Sequence, residues 1–287
     1  MDIFFYGGLA VTGFGAGLLG ALLGLGGGVF VVPALVLVFG LPHLTAVGTS
    51  NVAVVATSTA GASTYVRGRL TNIRLALVLL VSTTLAALIS SLVASYLPVQ
   101  VLSVLFALVL VYTAFTMLRG RRSAPVVFDP ADKESGTAPR LDLDAAFYDR
   151  ASDRVEIYRP KRVRMGAGIS AVAGVIAGLL GVGGGIVQMP VMNLLMSVPI
   201  KAATGTSNFM VGVTATSAAF VRYANGDIDP RIAVPVALFV FLGARVGAWL
   251  VPRMPSGRLR RIFAFVALGI AALMLLQAAG IYHAPGR

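Results

Sequence analysis

Gly24-Leu25-Gly26-Gly27-Gly28-Val29-Phe30-Val31-Val32-Pro33 breaks a long apolar run, and Gly181-Val182-Gly183-Gly184-Gly185-Ile186-Val187-Gln188-Met189-Pro190 breaks another in the same way. Each is followed by the same polar set, Gly48-Thr49-Ser50-Asn51 and Gly205-Thr206-Ser207-Asn208. Gly24 and Gly181, Pro33 and Pro190, Pro42 and Pro199, and Asn51 and Asn208 are each 157 positions apart. A constant offset with no gap, in so uncommon a combination of residues, marks an internal duplication.

The first broken run extends from about Ile3 to Phe39. As one straight helix it would measure about 55 Å, far more than the ~30 Å hydrocarbon core of a bilayer. It has to bend or break, and the glycine cluster is where. Of the 287 residues 57% are hydrophobic and only 12% charged, with a mean hydropathy of +0.88. Soluble domains carry about 25% charge, so the composition is that of a polytopic membrane protein. The further blocks run at about Leu44–Val66, Ile73–Leu97 and Val99–Leu118. In the second half they fall at Met165–Met196, Ala202–Tyr223, Ile232–Val251 and Ile262–Ile281. The expected fold is all-α, with two repeats of about four membrane blocks each (1–118 and 165–287). The first block of each repeat is broken at its glycine turn.

Residues 119–164 are of different composition. They hold most of the acids, including Asp129, Asp132, Glu134, Asp142, Asp144, Asp149, Asp153 and Glu156, among many Arg and Lys. They read as a soluble loop. Within it Arg154–Tyr158 alternates apolar and charged residues, the period of a strand, and pairs with Ala146–Tyr148 as a short hairpin.

Net charge is +12, but the basic residues sit at block ends, where they set membrane orientation rather than bind nucleic acid. With no cysteine, thiolate chemistry and cysteine-held metals are excluded. His43 and His283 are the only histidines and lie far apart, so neither a His-based metal centre nor a cofactor is expected. The N-terminus lacks the basic region of a signal peptide, and its apolar block is too long for one; the block is expected to be retained.

Basic residues favour the cytoplasmic side. That places the loop, with Arg119/Arg121/Arg122 and Lys161/Arg162/Arg164, and the Arg67–Arg74 turn inside. In the second half the turn after block two is neutral (Arg222, Asp227, Asp229, Arg231), and the basic turn, Arg253–Arg261, follows block three. Four plain spans per half would leave that turn outside. A first block that enters and returns on one side makes the repeats inverted and satisfies the rule throughout, so inversion is the expectation.

A helix break at mid-membrane is tolerated only where it is buried or lines a cavity, and secondary transporters build binding sites from such breaks. The exposed N–H groups of a half-helix carry partial positive charge, and glycines let a ligand approach the backbone. The expected binding set for a small anion is the backbone of Gly26, Gly27, Gly28, Gly183, Gly184 and Gly185. The side chains of Thr49, Ser50, Asn51, Thr206, Ser207 and Asn208 join it, with Gln188, a polar group in an apolar run. The competing reading is that the glycines serve close helix crossing and the hydroxyls bond backbone.

Gly15-Ala-Gly17-Leu-Leu-Gly20 matches the dinucleotide fingerprint but lies within an apolar run with no preceding strand, so it reads as helix packing. Gly243-Ala-Arg-Val-Gly247-Ala248 reads the same way. Arg245, inside block three, is either functional or snorkels to a headgroup. His43 and Lys201 are expected at the interface. No acid lies well within an apolar block, which argues against a carboxylate relay or cation cage. No nucleophile–base pair suggests an enzyme.

The quoted motifs resemble those of the TauE/SafE sulfite-exporter family, also called the sulfonate-uptake permeases: GLGGGVFVVPAL from Gly24, GVGGGIVQMPVM from Gly181, GTSN from Gly48 and Gly205, and GARVGAWL from Gly243. The resemblance implies a permease of the prokaryotic cytoplasmic membrane. Its substrate would be a small anion such as sulfite, thiosulfate or an organosulfonate, with export the expected direction. A channel or carrier for another small solute or ion is the alternative.

Overall fold

The computed structural model describes residues 3–98, scattered positions between 101 and 115, and residues 143–149 and 153–278. Most of the expected fourth block, the loop over 119–142 and the end of the last block lie outside the described residues.

Helix α1 (Ile3–Leu23) ends at the first glycine turn, from which the short α2 (Gly28–Leu37) leaves. Then come α3 (His43–Arg67) and α4 (Ile73–Val93). A hairpin of β1 (Ala145–Asp149) and β2 (Arg154–Tyr158) precedes α5 (Val163–Leu180), which ends at the second glycine turn. Beyond it are α6 (Gly185–Pro190), continued by a π turn over Val191–Leu195, α7 (Ile200–Ala224), α8 (Pro230–Leu250) and α9 (Ser256–Ala278). The start of α2 and α6, and both ends of α3 and α7 and of α4 and α8, recur at the same offset of 157 residues as the motifs. Local chemistry recurs with them. Pro42 and Pro199, extended at ψ 141°, precede α3 and α7. Asn72 and Asp229 cap α4 and α8, their side chains accepting from Leu75 N at 3.0 Å and Arg231 N at 2.9 Å.

Among the described residues four helices are long and apolar enough to cross a membrane: Phe4–Leu23, Ile73–Val93, Val163–Leu180 and Pro230–Arg253. On α4 the residues Leu77, Val81, Leu85 and Ile89 are exposed. On α8 the counterparts Val234, Leu238, Leu242 and Val246 are exposed too. Large apolar faces turned outward in this way suit lipid. The more polar α3 and α7 lie between them, with Thr49, Ser50, Asn51, Thr57, Thr206, Ser207, Asn208 and Thr214 buried.

Close helix contact is made by glycine. A Cβ on Gly17 would land on the Val240 carbonyl, and one on Gly243 or Gly247 on the carbonyls of Phe14 or Leu18. Phe14 meets Gly243 and Leu18 meets Gly247, so the numbers ascend together and α1 and α8 run parallel. Gly174 and Gly178 meet Thr83 and Ala87 likewise, and α5 runs parallel to α4. The fingerprint-like run and the Gly243 motif are therefore packing surfaces. Arg245 lies on the exposed side of α8, with Trp249 one turn on, whose ring Arg253 covers at 3.8 Å. That exposed placement near the helix end suits snorkelling.

The centre of the molecule is the crossing of α3 with α7. Ser58 Oγ donates to the Asn208 carbonyl at 2.5 Å, while Val54, Val211 and Ala215 share one buried cluster. The numbers ascend on one helix as they fall on the other, so the two run antiparallel. Equivalent residues, Val54 and Val211, meet at the crossing.

The hairpin has the register Ala145↔Tyr158 to Asp149↔Arg154 and docks on one end of the bundle. Asn72 Nδ2 donates to the Leu143 carbonyl at 2.8 Å. Lys161 N donates to the Met196 carbonyl at 3.0 Å. Lys201, expected at the interface, is instead buried and paired with Asp149 at 2.5 Å. Its Nζ also reaches the Pro252 carbonyl at 3.4 Å, so residues 251–253 lie at the hairpin end.

Candidate functional site

Both glycine turns are left-handed elbows. Gly24, Gly26 and Gly27 have φ of 71°, 77° and 80°; Gly181, Gly183 and Gly184 have 68°, 70° and 77°. A side chain strains that conformation, which is why three glycines are needed at each. Leu25 and Val182, the intervening residues, are buried anchors. Each elbow turns the chain straight into a half-helix. Phe30 and Val31 N–H return to the Gly27 carbonyl, and Val187 and Gln188 N–H to the Gly184 carbonyl. The first N–H groups of α2 and α6 have no acceptor within their own helix, and no side chain caps either end. Gly26 N–H, by contrast, is already used, on the Gly20 carbonyl at 3.3 Å.

The elbows touch each other. A Cβ on Gly28 would lie 2.7 Å from the Gly181 oxygen, and one on Gly185 2.6 Å from the Gly24 oxygen. Gly26 and Gly183 both abut Val54 and Val211 at the α3–α7 crossing. Two serines tie the arrangement across the chain. Ser50 Oγ donates to the Gly181 carbonyl at 2.7 Å, and Ser207 Oγ donates to the Gly24 carbonyl at 2.8 Å. Each hydroxyl proton is thus committed to the elbow of the opposite half.

The remaining polar residues of the set divide into engaged and unengaged. Thr206 Oγ1 accepts from Asn72 N at 2.9 Å, which links it to the hairpin end. Asn208 Nδ2 makes a long contact with the Ser58 carbonyl at 3.4 Å, and its Oδ1 has no partner. Thr49 Oγ1, both amide atoms of Asn51 and both of Gln188 are buried and have no partner among the described residues. Thr204 Oγ1 is in the same condition, and its backbone packs against Gly24. Thr204 falls outside the repeated Gly-Thr-Ser-Asn motif, one residue before Gly205, and its counterpart Val47, which packs on Gly181, is apolar. A buried polar group left unmade costs about 1–3 kcal/mol. Several of them, each on a helix that packs against the elbows, are what a polar ligand would satisfy.

Residues 9–274 match the family described as Sulfite exporter TauE/SafE. The chain belongs to this family. Among curated proteins it is 23% identical over 276 residues to the probable membrane transporter protein YunE of Bacillus subtilis (strain 168), covering 94% of this chain and 97% of that one. It is 27% identical over 270 residues to a probable membrane transporter protein of Xylella fastidiosa (strain 9a5c), with coverage of 92% and 91%. MJ0441 of Methanocaldococcus jannaschii, another probable membrane transporter protein, is 24% identical over 283 residues, covering 93% and 94%. No solved structure matches. This TauE/SafE protein is a multi-pass membrane transporter for a small solute, not an enzyme.

Proposed function

We propose that the chain is a secondary transporter that exports a small sulfur-containing anion, such as sulfite, thiosulfate or an organosulfonate, across the prokaryotic cytoplasmic membrane. Residues 1–118 and 165–287 are the two repeats and 119–164 the cytoplasmic loop. The repeats are inverted, and alternating access comes from one moving against the other.

Inversion is supported by the antiparallel crossing of α3 and α7 at equivalent residues. The contact of Pro252 with Lys201 adds support, since it brings the basic turn after α8 to the face that holds the loop. A reporter fused at Pro255 should report from the cytoplasm; a signal from outside would contradict inversion.

The observation that carries the site is the group of buried, unpartnered amides and hydroxyls beside two facing half-helix N-termini. The backbone N–H groups of Gly27, Gly28, Gly184 and Gly185 supply partial positive charge. Thr49, Asn51, Gln188 and Asn208 supply neutral partners for the oxygens. Gly26, Gly183, Ser50 and Ser207 shape and brace the same site, and Thr206 holds its helix to the Asn72 turn. Sulfite, thiosulfate and sulfonate share an anionic head of several oxygens on sulfur, which suits many weak donors. The neutrality of the unpartnered side chains also favours a second reading, a channel or carrier for an uncharged solute. Purified protein in proteoliposomes loaded with each labelled anion decides between them. Efflux of at least one is expected, and movement of none overturns the substrate class. Removing 129–156 should leave transport measurable, whereas a scaffold for a partner would lose its role.

A further inference from the structure

At the end of the bundle away from the hairpin, α7 carries Arg222, whose side chain is fully buried. Its Nη1 donates to Asp227 Oδ2 at 3.1 Å, within the turn that follows. Its Nε and Nη2 are buried and have no acceptor among the described residues. A guanidinium carries five donors, and a hydrogen bond to a charged group is stronger than one between neutral groups. Burying such a group half-used is costly, so a purely structural role calls for something cheaper. The corresponding residue of the first half is cheaper: Tyr65 is also fully buried, and its single hydroxyl donates to the Ala21 carbonyl at 2.6 Å.

Across from Arg222 is the start of α3. The antiparallel register that sets Ser58 by Asn208 and Val54 by Val211, continued, sets Asn51 by Ala215 and His43 by Arg222. The turn after Arg222 packs on α3 as well, since a Cβ on Gly48 would lie 2.7 Å from the Asp227 oxygen. His43 Nε2 is buried, with no partner among the described residues. α3 is 25 residues long and starts after Pro42 with no side-chain cap, so its first N–H groups also lack acceptors. Half a guanidinium, an imidazole nitrogen and an uncapped helix start therefore lie together, with Asp227 as the acid paired to the site.

We propose that Arg222, with His43 and the N-terminus of α3, binds a small oxyanion at the end of the bundle opposite the hairpin, as a staging site on the path to or from the elbows. Its role in transport rests on the anion-export reading; its binding chemistry does not. Helix N-termini and guanidinium forks both favour oxyanions, and the register runs from Arg222 along α3 to Asn51, beside the elbow.

The test is the thermal midpoint of the purified protein titrated with sulfite, thiosulfate and sulfate, alongside proteoliposome efflux of the same ions. At least one ion should stabilise the wild type. Arg222→Gln should weaken that effect about tenfold or more in half-saturating concentration, the loss of one or two charge-assisted hydrogen bonds. Asp227→Asn, which cuts the tie to the turn but leaves the guanidinium, should bind as well as the wild type or better. The proposal is overturned if no ion stabilises the wild type, if Arg222→Gln binds with unchanged affinity, or if Asp227→Asn loses as much as Arg222→Gln. Should Arg222→Gln fail to fold, Arg222→Lys is judged by the same criterion, since a lysine cannot reproduce the fork. Efflux is read separately. Arg222-dependent stabilisation without efflux of any anion sinks the transport reading and leaves the site; efflux with Arg222-independent binding does the reverse.

Discussion

The two halves share one backbone plan, and at some of the positions where they differ one half carries a polar side chain and the other does not. Elbow glycines, cross-bracing serines and both ends of α3 and α7 and of α4 and α8 correspond residue for residue. Against them stand Val31 and Gln188, Tyr65 and Arg222, Leu44 and Lys201, and His43 and Ile200, each pair separated by the same offset. What is shared is what the geometry needs: positive φ, close approach and a hydrogen bond to the facing elbow. In these four pairs the polar group is one-sided or of a different kind. With α3 and α7 antiparallel, counterparts lie at opposite ends, so Lys201 faces the hairpin and Arg222 the other end. Such differences make the two mouths of a pseudo-symmetric transporter chemically distinct.

The largest effect should come from Lys201. Lys201→Met removes the buried cation of the Lys201–Asp149 ion pair and should cost about 3–5 kcal/mol of hairpin docking. It would be seen as faster proteolysis or hydrogen exchange over 145–158, with Asp149→Asn in the same chain restoring much of it. Unchanged exchange would show that the pair does not hold the hairpin. Next are the elbows, where Gly27→Ala and Gly184→Ala force a side chain into φ of 80° and 77°. The Ala16 and Ala173 oxygens stand 3.1 and 2.9 Å from the new Cβ. Each should lose about 1–3 kcal/mol from backbone strain, read as a lowered thermal midpoint. Tolerance of one and not the other would break the correspondence.

A smaller and equal effect is expected from Ser50→Ala and Ser207→Ala, about 1 kcal/mol each for one hydrogen bond; unequal losses would show that one brace also meets the substrate. Gln188→Val, which copies Val31, should leave stability unchanged or slightly raised while weakening substrate binding. A clear loss of stability would assign Gln188 to the scaffold. Smallest is a pH effect in the hairpin. Burial and then the Asp149 charge raise the Glu156 carboxyl above its ordinary range, partly offset by Lys201. A raised acid stabilises the folded form below its unfolded pKa and loses that contribution as pH rises through the folded one. Hairpin protection, corrected for intrinsic exchange, should therefore fall from acid toward neutral pH, and Glu156→Gln should flatten the fall.

The glycine breaks were legible because a run too long for a bilayer must break, and only one place in each run could. The hairpin was legible from alternation: strands expected at 146–148 and 154–158 lie at 145–149 and 154–158. The cross-brace was not, since Ser50 and Gly181 are 131 residues apart and no local pattern links a hydroxyl to a distant carbonyl. Lys201 read as interfacial because its partner Asp149 comes from the loop rather than a neighbouring span. Arg222 read as part of a neutral turn, because its balance with Asp227 conceals that the guanidinium is buried and half-used.

The central claim, that the paired elbows and their unpartnered amides hold the transported anion, is tested most directly by the concentration dependence of labelled thiosulfate or sulfite efflux. It is measured for wild type, Asn51→Ala and Asn208→Ala in matched proteoliposomes. The account predicts half-saturation raised several-fold or more in both variants, with the larger change at Asn51, whose two amide atoms are both free. Efflux of unchanged rate and half-saturation in both would contradict it and make the polar sets part of the scaffold alone.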